Sequence, residues 1–329
     1  MHVYRTVPQT AAHPVALTIG NFDGVHRGHR EMLRRLRAAA SARGLPAAVM
    51  TFEPHPREFF APDRAPVRLT GLRDKLRLLE ACGVDEVHVC RFDYHLAQML
   101  PDEFISRVLV QGLAARWILI GDDFRFGARR AGDVETLRAA ALPSTRVSTS
   151  PSARGPAAVG FELESLSSYR VDGLRVSSTA VRDALAAGDM TLAQKLLGAP
   201  FALSGRVVHG DKLGRELGFP TANVWVPRAR LPVTGIFAVR VYGLAEAALA
   251  AVASVGVRPT VKANGRTTLE VHVFDFDRDV YGARVRVEFL HKLRDEAKYD
   301  GLPALVRQIE IDCAQARAWL GAVAPGATL

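Results

Sequence analysis

The chain has 329 residues, with 43 Lys and Arg against 34 Asp and Glu, for a net charge of +9. Hydrophobic residues make up 48% and charged residues 23%, a globular balance that excludes a disordered or fibrous chain, and the length calls for two cores. The basic excess is spread along the sequence, with short clusters such as Arg34–Arg37, so it suits phosphate-bearing small substrates better than nucleic acid.

Val15–Ile19 is a short apolar run ending at Gly20, which reads as a buried strand. A loop, Asn21–His26, leads into helical spacing over Gly28–Ala42, and Ala47–Phe52 is the next apolar run. That order is a βαβ unit and implies a parallel sheet with a right-handed crossover. The pattern recurs as a helix at Arg73–Ala81, a strand at Glu86–Cys90, a helix at Pro101–Gly112 and a strand at Trp117–Ile120. The first half is therefore expected to be a doubly wound α/β domain, with ligands at the carboxyl ends of its strands. After a short linker near residues 186–199 the texture changes. Runs at Phe201–Val208, Ile236–Tyr242, Leu249–Val255, Thr268–Phe274 and Ala283–Phe289, separated by Gly and Pro, predict a β-barrel or sandwich. A helix over Pro303–Leu320 closes the chain.

The three cysteines, Cys82, Cys90 and Cys313, fit no zinc or disulfide framework and are expected as free thiols in a reducing compartment. Met1–Pro14 has no signal-peptide pattern, and the most apolar run, Leu244–Val257, is too short for a bilayer. The expectation is a cytoplasmic protein with no membrane or nucleic-acid partner.

The densest chemistry lies at Gly20–His29, where His26 and His29 flank Gly28 as a loop enters a helix. A helix N-terminus presents unpaired N–H groups and partial positive charge, so it draws phosphate, and Gly28 lets the backbone come close. Two imidazoles there can stabilise charge building on phosphorus. Asp122 and Asp123 follow a predicted strand and also suit a solvated turn, while Ser177–Arg182 also suits a helix N-cap. His55 lies between two prolines that stiffen its loop.

In the second half, Gly210, Gly214 and Gly218 recur every four residues, with Lys212 and Arg215 between them. Such a loop can aim N–H groups at phosphate and neutralise it, although it is no Walker A loop. Thr221 and Asn223 carry hard oxygens suited to Mg²⁺ held mostly through substrate phosphates. Glu270 sits in an alternating strand and, on its own, reads as a solvent-facing carboxylate.

Gly20–His29 resembles the GxFDGxHxGH signature of prokaryotic FAD synthetases, in the HxGH nucleotidyltransferase superfamily, and the likeness continues at Thr51–Pro56, Gly121–Gly127 and Ser177–Arg182. Gly210–Asn223 resembles the GxxxGxxxGFPTAN pattern of riboflavin kinases, with similar segments at Ser254–Thr260 and Leu293–Asp300. Over its whole length the chain is thus similar to the prokaryotic bifunctional riboflavin kinase/FAD synthetase (FMN adenylyltransferase) family. The resemblance implies a Rossmann-like FMN adenylyltransferase domain over 1–186. A small β-barrel riboflavin kinase domain with a C-terminal helix would follow over 187–329. It implies ATP and Mg²⁺ as cofactors, riboflavin and FMN as substrates, and FAD as product. In the first domain ATP would be held by Gly20, Asn21, Phe22, Asp23, His26, Gly28, His29 and Asp123, and by a second segment, Ser178, Thr179 and Arg182. In the second, ATP and flavin would meet Gly210, Lys212, Gly214, Gly218, Phe219, Pro220, Thr221 and Asn223, with Arg294 and Lys298 near the flavin. Thr221 and Asn223 would hold Mg²⁺, and Glu270 would be the catalytic base. A related transferase acting on another phosphate ester would have no use for the second half. A non-catalytic regulator could dispense with His26, His29 and Glu270.

Overall fold

The computed structural model describes residues 1–141, 160–210, 214, 217–228, 230–257 and 267–322. They form two compact units, the first comprising Met1–Pro66 and Leu72–Val176, the second Val67–Gly71 and Ser177–Leu329.

The first unit is built on six parallel strands: β1 (His2–Tyr4), β2 (Val15–Ile19), β3 (Ala47–Glu53), β4 (Glu86–Arg91), β5 (Ala115–Gly121) and β6 (Glu162–Leu166). Their spatial order is β1-β4-β3-β2-β5-β6. Every residue of β2 is buried, as a strand covered on both faces requires. Its side chains divide by parity. Val15, Leu17 and Ile19 join Phe104, Ile105, Val108 and Leu109 in one core. Ala16 joins Leu33, Leu36 and Ala40 of helix α1 (Arg27–Arg43) and Leu79 of helix α2 (Leu72–Ala81) in the other. The two cores on opposite sheet faces establish the doubly wound fold expected from the sequence.

The helix expected over Pro101–Gly112 is one α-turn, Pro101–Glu103, followed by a π-helix at Phe104–Gly112. A Cβ on Gly112 would come within 2.8 Å of the Pro8 carbonyl, so the glycine admits the N-terminal segment against the helix end. A hairpin of two short strands, β7 (Arg170–Val171) and β8 (Leu174–Arg175), completes this unit.

Near the amino ends of these strands His88 of β4 is 4% exposed, and neither ring nitrogen has a hydrogen bond of good geometry among the described residues. Its Nε2 lies 3.6 Å from Glu86 Oε2, beyond hydrogen-bond reach. Burial pushes its pKa below the ordinary 6.5, against the opposing pull of Glu86. The folded chain thus holds this ring neutral while the unfolded chain would protonate it, so stability falls as pH drops below about 6.5. Thermal melts between pH 8 and pH 5 should show an acid loss that His88→Gln reduces. An acid profile unchanged by that substitution would contradict this account.

The second unit opens with two helices, α3 (Ser178–Ala187) and α4 (Met190–Leu197), where the sequence suggested a linker. Gly188, at φ 78°, caps α3, and Asp189 then caps α4 by accepting from the Leu192 N–H. Six antiparallel strands follow: β9 (Phe201–Val208), β10 (Ala222–Trp225), β11 (Gly235–Tyr242), β12 (Leu249–Val257), β13 (Thr267–Val273) and β14 (Arg284–Arg294). They close into a barrel in the order β10-β13-β12-β11-β14-β9. Phe237 and Phe289 meet edge to face at 5.2 Å. The final helix, α5 (Leu302–Ala322), places Ala316 and Leu320 against Ile236, Ala238 and Val252. Val67–Gly71 belongs to this unit through two arginines. Arg182 Nε–H donates to the Val67 carbonyl at 2.6 Å, and Arg228 Nη1–H donates to the carbonyls of Arg68 and Leu69 at 3.1 and 3.2 Å.

Candidate active sites

In the first unit the strand order reverses between β2 and β5, because the chain proceeds from β2 outward to β3 and β4 and then returns to β5 on the other side. Open α/β sheets bind ligands at the carboxyl side of such a switch. Gly20–His26 leaves β2 at that point, and Asp122–Phe126 leaves β5 beside it. The first loop is strained. Phe22 and Val25 hold φ of 48° and 41°, and Val25 is β-branched; such residues cost about 1–3 kcal/mol each and persist where the surroundings over-determine them. Both side chains are buried.

His26 is the N-cap of α1, its Nδ1 accepting from the His29 N–H at 3.3 Å. An accepting Nδ1 leaves the ring proton of neutral His26 on Nε2. The His26 and His29 rings stack at 3.7 Å and 13°. The first turn of α1, Arg27–Arg30, carries two arginines and no acid, although the positive end of a helix favours acids. A helix start of that charge suits an anionic ligand. Two buried polar atoms here, Asn21 Oδ1 and His29 Nδ1, have no hydrogen-bond partner among the described residues. Burial first, then the neighbouring His26 and Lys75, holds His29 well below the ordinary histidine value.

Gly20, Asn21, Phe22, Asp23, His26, Gly28 and His29 are therefore brought together in one loop and helix start. A Cβ on Gly28 would lie 3.3 Å from the His26 ring, so the glycine is needed for the cap. Asp123 is exposed on the neighbouring loop, its Oδ2 2.6 Å from Arg175 Nη2. Ser178, Thr179 and Arg182 fall in the first turns of α3, in the second unit, and Ser177 caps that helix through the Ala180 N–H at 3.1 Å. His55 caps the short helix Pro56–Phe60 in a capping box with Glu58.

Sequence reasoning missed two features of this unit. Lys75, 4% exposed on α2, donates from Nζ to Thr51 Oγ1 at 3.3 Å. Five aromatic rings also gather beyond the carboxyl ends of β3 and β4. Phe59 packs on Phe92 at 5.5 Å and on Tyr94 at 5.0 Å, and Phe60 and Tyr94 are 66% and 74% exposed. Phe52 meets Phe92 at 5.9 Å. Neither feature is a motif, although a lysine at an apolar-stripe position was a visible irregularity.

In the second unit β10 and β13 pair so that Asn223 lies directly opposite Glu270, with Ser254 of β12 on Glu270's other side. Leu269, Val271 and Val273 are buried in the barrel, so Glu270 between them points outward, and Asn223 shares its face. A Cβ on Gly210 would strike the Asn223 side chain, lying 2.7 Å from its Oδ1. Gly214 accepts from the Phe219 N–H at 2.7 Å, and its Cβ would stand 3.2 Å from Thr221 Oγ1. Gly218 has φ 86°. Gly210 and Gly214 thus lie close against Asn223 and Thr221. Pro220 is fixed by its carbonyl, 2.8 Å from His272 Nδ1, and Phe219 meets the His272 ring edge-on at 5.7 Å. The His209 and Tyr281 rings lie 3.8 Å apart at a tilt of 35° just before Gly210, a pair the sequence did not single out. Lys212, Arg215 and residues 258–260 lie outside the described residues.

Arg294 is committed within the chain. Its Nε and Nη2 grip the two oxygens of Asp312 on α5 at 2.8 and 2.7 Å, and Nη1 donates to the Asp295 carbonyl at 2.8 Å. Asp312 is 3% exposed and also accepts from Gln308 at 3.0 Å. Lys298, four residues on, is exposed.

A family model described as FAD synthetase matches residues 8–180, and one described as riboflavin kinase matches residues 197–320. The bifunctional riboflavin kinase/FMN adenylyltransferase of Escherichia coli K12 is 48% identical over 325 residues, which cover 99% of this chain and 98% of that one. The chain belongs to the bifunctional riboflavin kinase/FMN adenylyltransferase family. The family's likeness extends to Bacillus subtilis, whose protein is 34% identical over 315 residues, 94% of each chain. A crystal structure described as a macrolide-efflux protein from Streptococcus pneumoniae superposes with a TM-score of 0.80 at 29% identity, covering 97% of this chain and 100% of that one. Among the described residues no helix is long and apolar enough to cross a membrane.

Proposed function

We propose that the two activities of the family divide between the two constellations just described. The chain is a transferase that phosphorylates riboflavin to FMN with ATP and adenylylates FMN to FAD with release of pyrophosphate. The kinase half rests on one observation, Glu270 standing across the strand pair from Asn223 beside a glycine loop.

There, Glu270 accepts the proton of the riboflavin hydroxyl as it attacks the γ-phosphorus of ATP and ADP leaves, with Gly210, Lys212, Gly214, Gly218, Phe219 and Pro220 as the phosphate-binding segment. The Thr221 hydroxyl and Asn223 amide oxygen are hard donors, and the glycines fit closely around them, so this pair suits Mg²⁺ bound with the nucleotide. The ion supplies charge neutralisation on the phosphates when bound. The adjoining His209 and Tyr281 rings offer an adenine platform beside Gly210. Arg294 serves the flavin side by tying its loop to α5 through Asp312, and Lys298 supplies exposed positive charge.

In the first unit an FMN phosphate oxygen attacks the α-phosphorus of ATP and pyrophosphate leaves. His26, His29 and the N–H groups of the α1 start hold the phosphates, with Gly20, Asn21, Phe22, Asp23 and Gly28 giving the loop its form. The unpartnered Asn21 and His29 atoms fit such a ligand. Asp123 contacts the nucleotide from the neighbouring loop. The family resemblance gives Ser178, Thr179 and Arg182 as a second phosphate segment, and they lie in α3 of the second unit. The exposed Phe60 and Tyr94 rings offer the isoalloxazine a stacking surface. The enzyme works on small molecules in the cytoplasm, where its three free thiols stay reduced. Purified protein given riboflavin, ATP and Mg²⁺ should make FMN first and FAD after it, as read by chromatography. FMN accumulating with no FAD would refute the assignment of the first unit.

A further inference from the structure

Helix α2 carries Leu72, Leu76 and Leu79 on the side that packs against the sheet, and Lys75 falls among them with 4% exposure. A lysine is rarely buried in that way, because its ammonium must leave water. One of its contacts leads to the loop that leaves β2. Nζ donates to Thr51 Oγ1 at 3.3 Å, and Thr51, fully buried near the carboxyl end of β3, donates in turn to the Asn21 carbonyl at 3.3 Å. β3 lies beside β2, and the Gly20 N–H donates to the Met50 carbonyl at 3.0 Å. The lysine therefore stands under the loop that leaves β2, linked to its backbone through one hydroxyl.

We propose that Lys75 is a positioning residue for adenylyl transfer, fixing the Gly20–His26 loop through Thr51 and setting a permanent positive charge beneath the triphosphate seat. The proposal rests on the assignment of His26 and His29 to the nucleotide phosphates. A compact ammonium in a low-dielectric site acts strongly on a developing anion and needs no reorganisation when the reaction occurs. It adds to the positive end of α1, which approaches the same seat. The same charge reaches the His29 ring. The groups acting on that ring are its own burial, His26 stacked on it, and Lys75 from α2, all of which favour the neutral form. Asp23, 4% exposed, is the buried carboxylate of the same loop. A neutral His29 keeps one ring nitrogen as donor and one as acceptor, and the nearby cation remains the lysine.

The test uses the full chain carrying Lys75→Met or Lys75→Arg. FAD formation from supplied FMN and ATP is measured together with riboflavin phosphorylation and the His29 ring titration by NMR. Lys75→Met should lower kcat/KM for ATP in FAD formation by roughly ten- to a hundredfold. It should leave riboflavin phosphorylation unchanged and move the His29 titration upward, and Lys75→Arg should restore most of both. Full FAD synthesis in Lys75→Met, or an unmoved His29 titration, overturns the proposal. Should Lys75→Met fail to fold, Thr51→Val decides in its place, because it breaks the link from the ammonium to the Asn21 carbonyl and should lower FAD formation while sparing riboflavin phosphorylation. Full FAD synthesis in Thr51→Val overturns the proposal. His29→Ala separates the two levels. If it leaves FAD synthesis intact, the nucleotide assignment itself has failed. If it abolishes FAD synthesis while Lys75→Met does not, only the lysine's role is lost.

Discussion

Replacing Glu270 with Gln is expected to stop FMN formation while FAD synthesis from supplied FMN continues. The carboxylate lies outside the barrel, between Asn223 and Ser254 on neighbouring strands, so an amide of the same shape can stand there without disturbing the buried Leu269 and Val271. What disappears is the proton acceptor. A positioned general base contributes roughly 10²–10⁴-fold, so kcat for riboflavin phosphorylation should fall by that order. KM for riboflavin should change little, since the amide keeps a hydrogen-bonding oxygen. Measuring FMN and FAD production separately on one preparation checks both halves. A variant that phosphorylates riboflavin at the original rate would remove Glu270 from the chemistry.

The complementary result is expected at His29. Its ring stacks on His26 at 3.7 Å, and its Nδ1 is buried without a partner, which is the condition of a group awaiting a ligand. His29→Ala removes that contact but leaves the N–H at position 29, which His26 caps, because the cap bond runs to the backbone. Adenylyl transfer should drop by roughly 10²–10³-fold, the usual cost of losing one preorganised donor to a developing oxyanion. Riboflavin phosphorylation should persist and yield FMN that is not consumed. Loss of both activities in a variant that melts normally would mean the two chemistries are not independent.

The fold was legible where the hydrophobic period was clean. β2, buried at every residue, could only be a strand covered on both faces, and the glycine-broken runs after Phe201 became barrel strands close to their expected bounds. β10 was hidden because its four residues, Ala222–Trp225, double as the end of the glycine motif. Residues 186–199 looked like a linker because two glycines interrupt them, yet each glycine proved to be a left-handed helix cap. The site motifs announced themselves by residue type and spacing. What they could not convey was partnership. The sequence places Arg294 near a flavin loop but gives no sign that Asp312, 18 residues later, occupies its guanidinium. It places Lys75 in a helix without revealing that the ammonium is turned inward. Both depend on tertiary neighbours that no local pattern encodes.

The five residues Val67–Gly71 bear on how the two halves could be studied apart. They arise from the first half of the sequence yet fold with the second unit, where Leu69 is fully enclosed and Arg182 and Arg228 donate to their carbonyls. Severing the polypeptide after Val176 would give a carboxy-terminal fragment with an empty leucine slot and two guanidinium groups stripped of their acceptors. The chain is divided in function but not by any single cut, and point substitution, not truncation, is the clean way to silence one half.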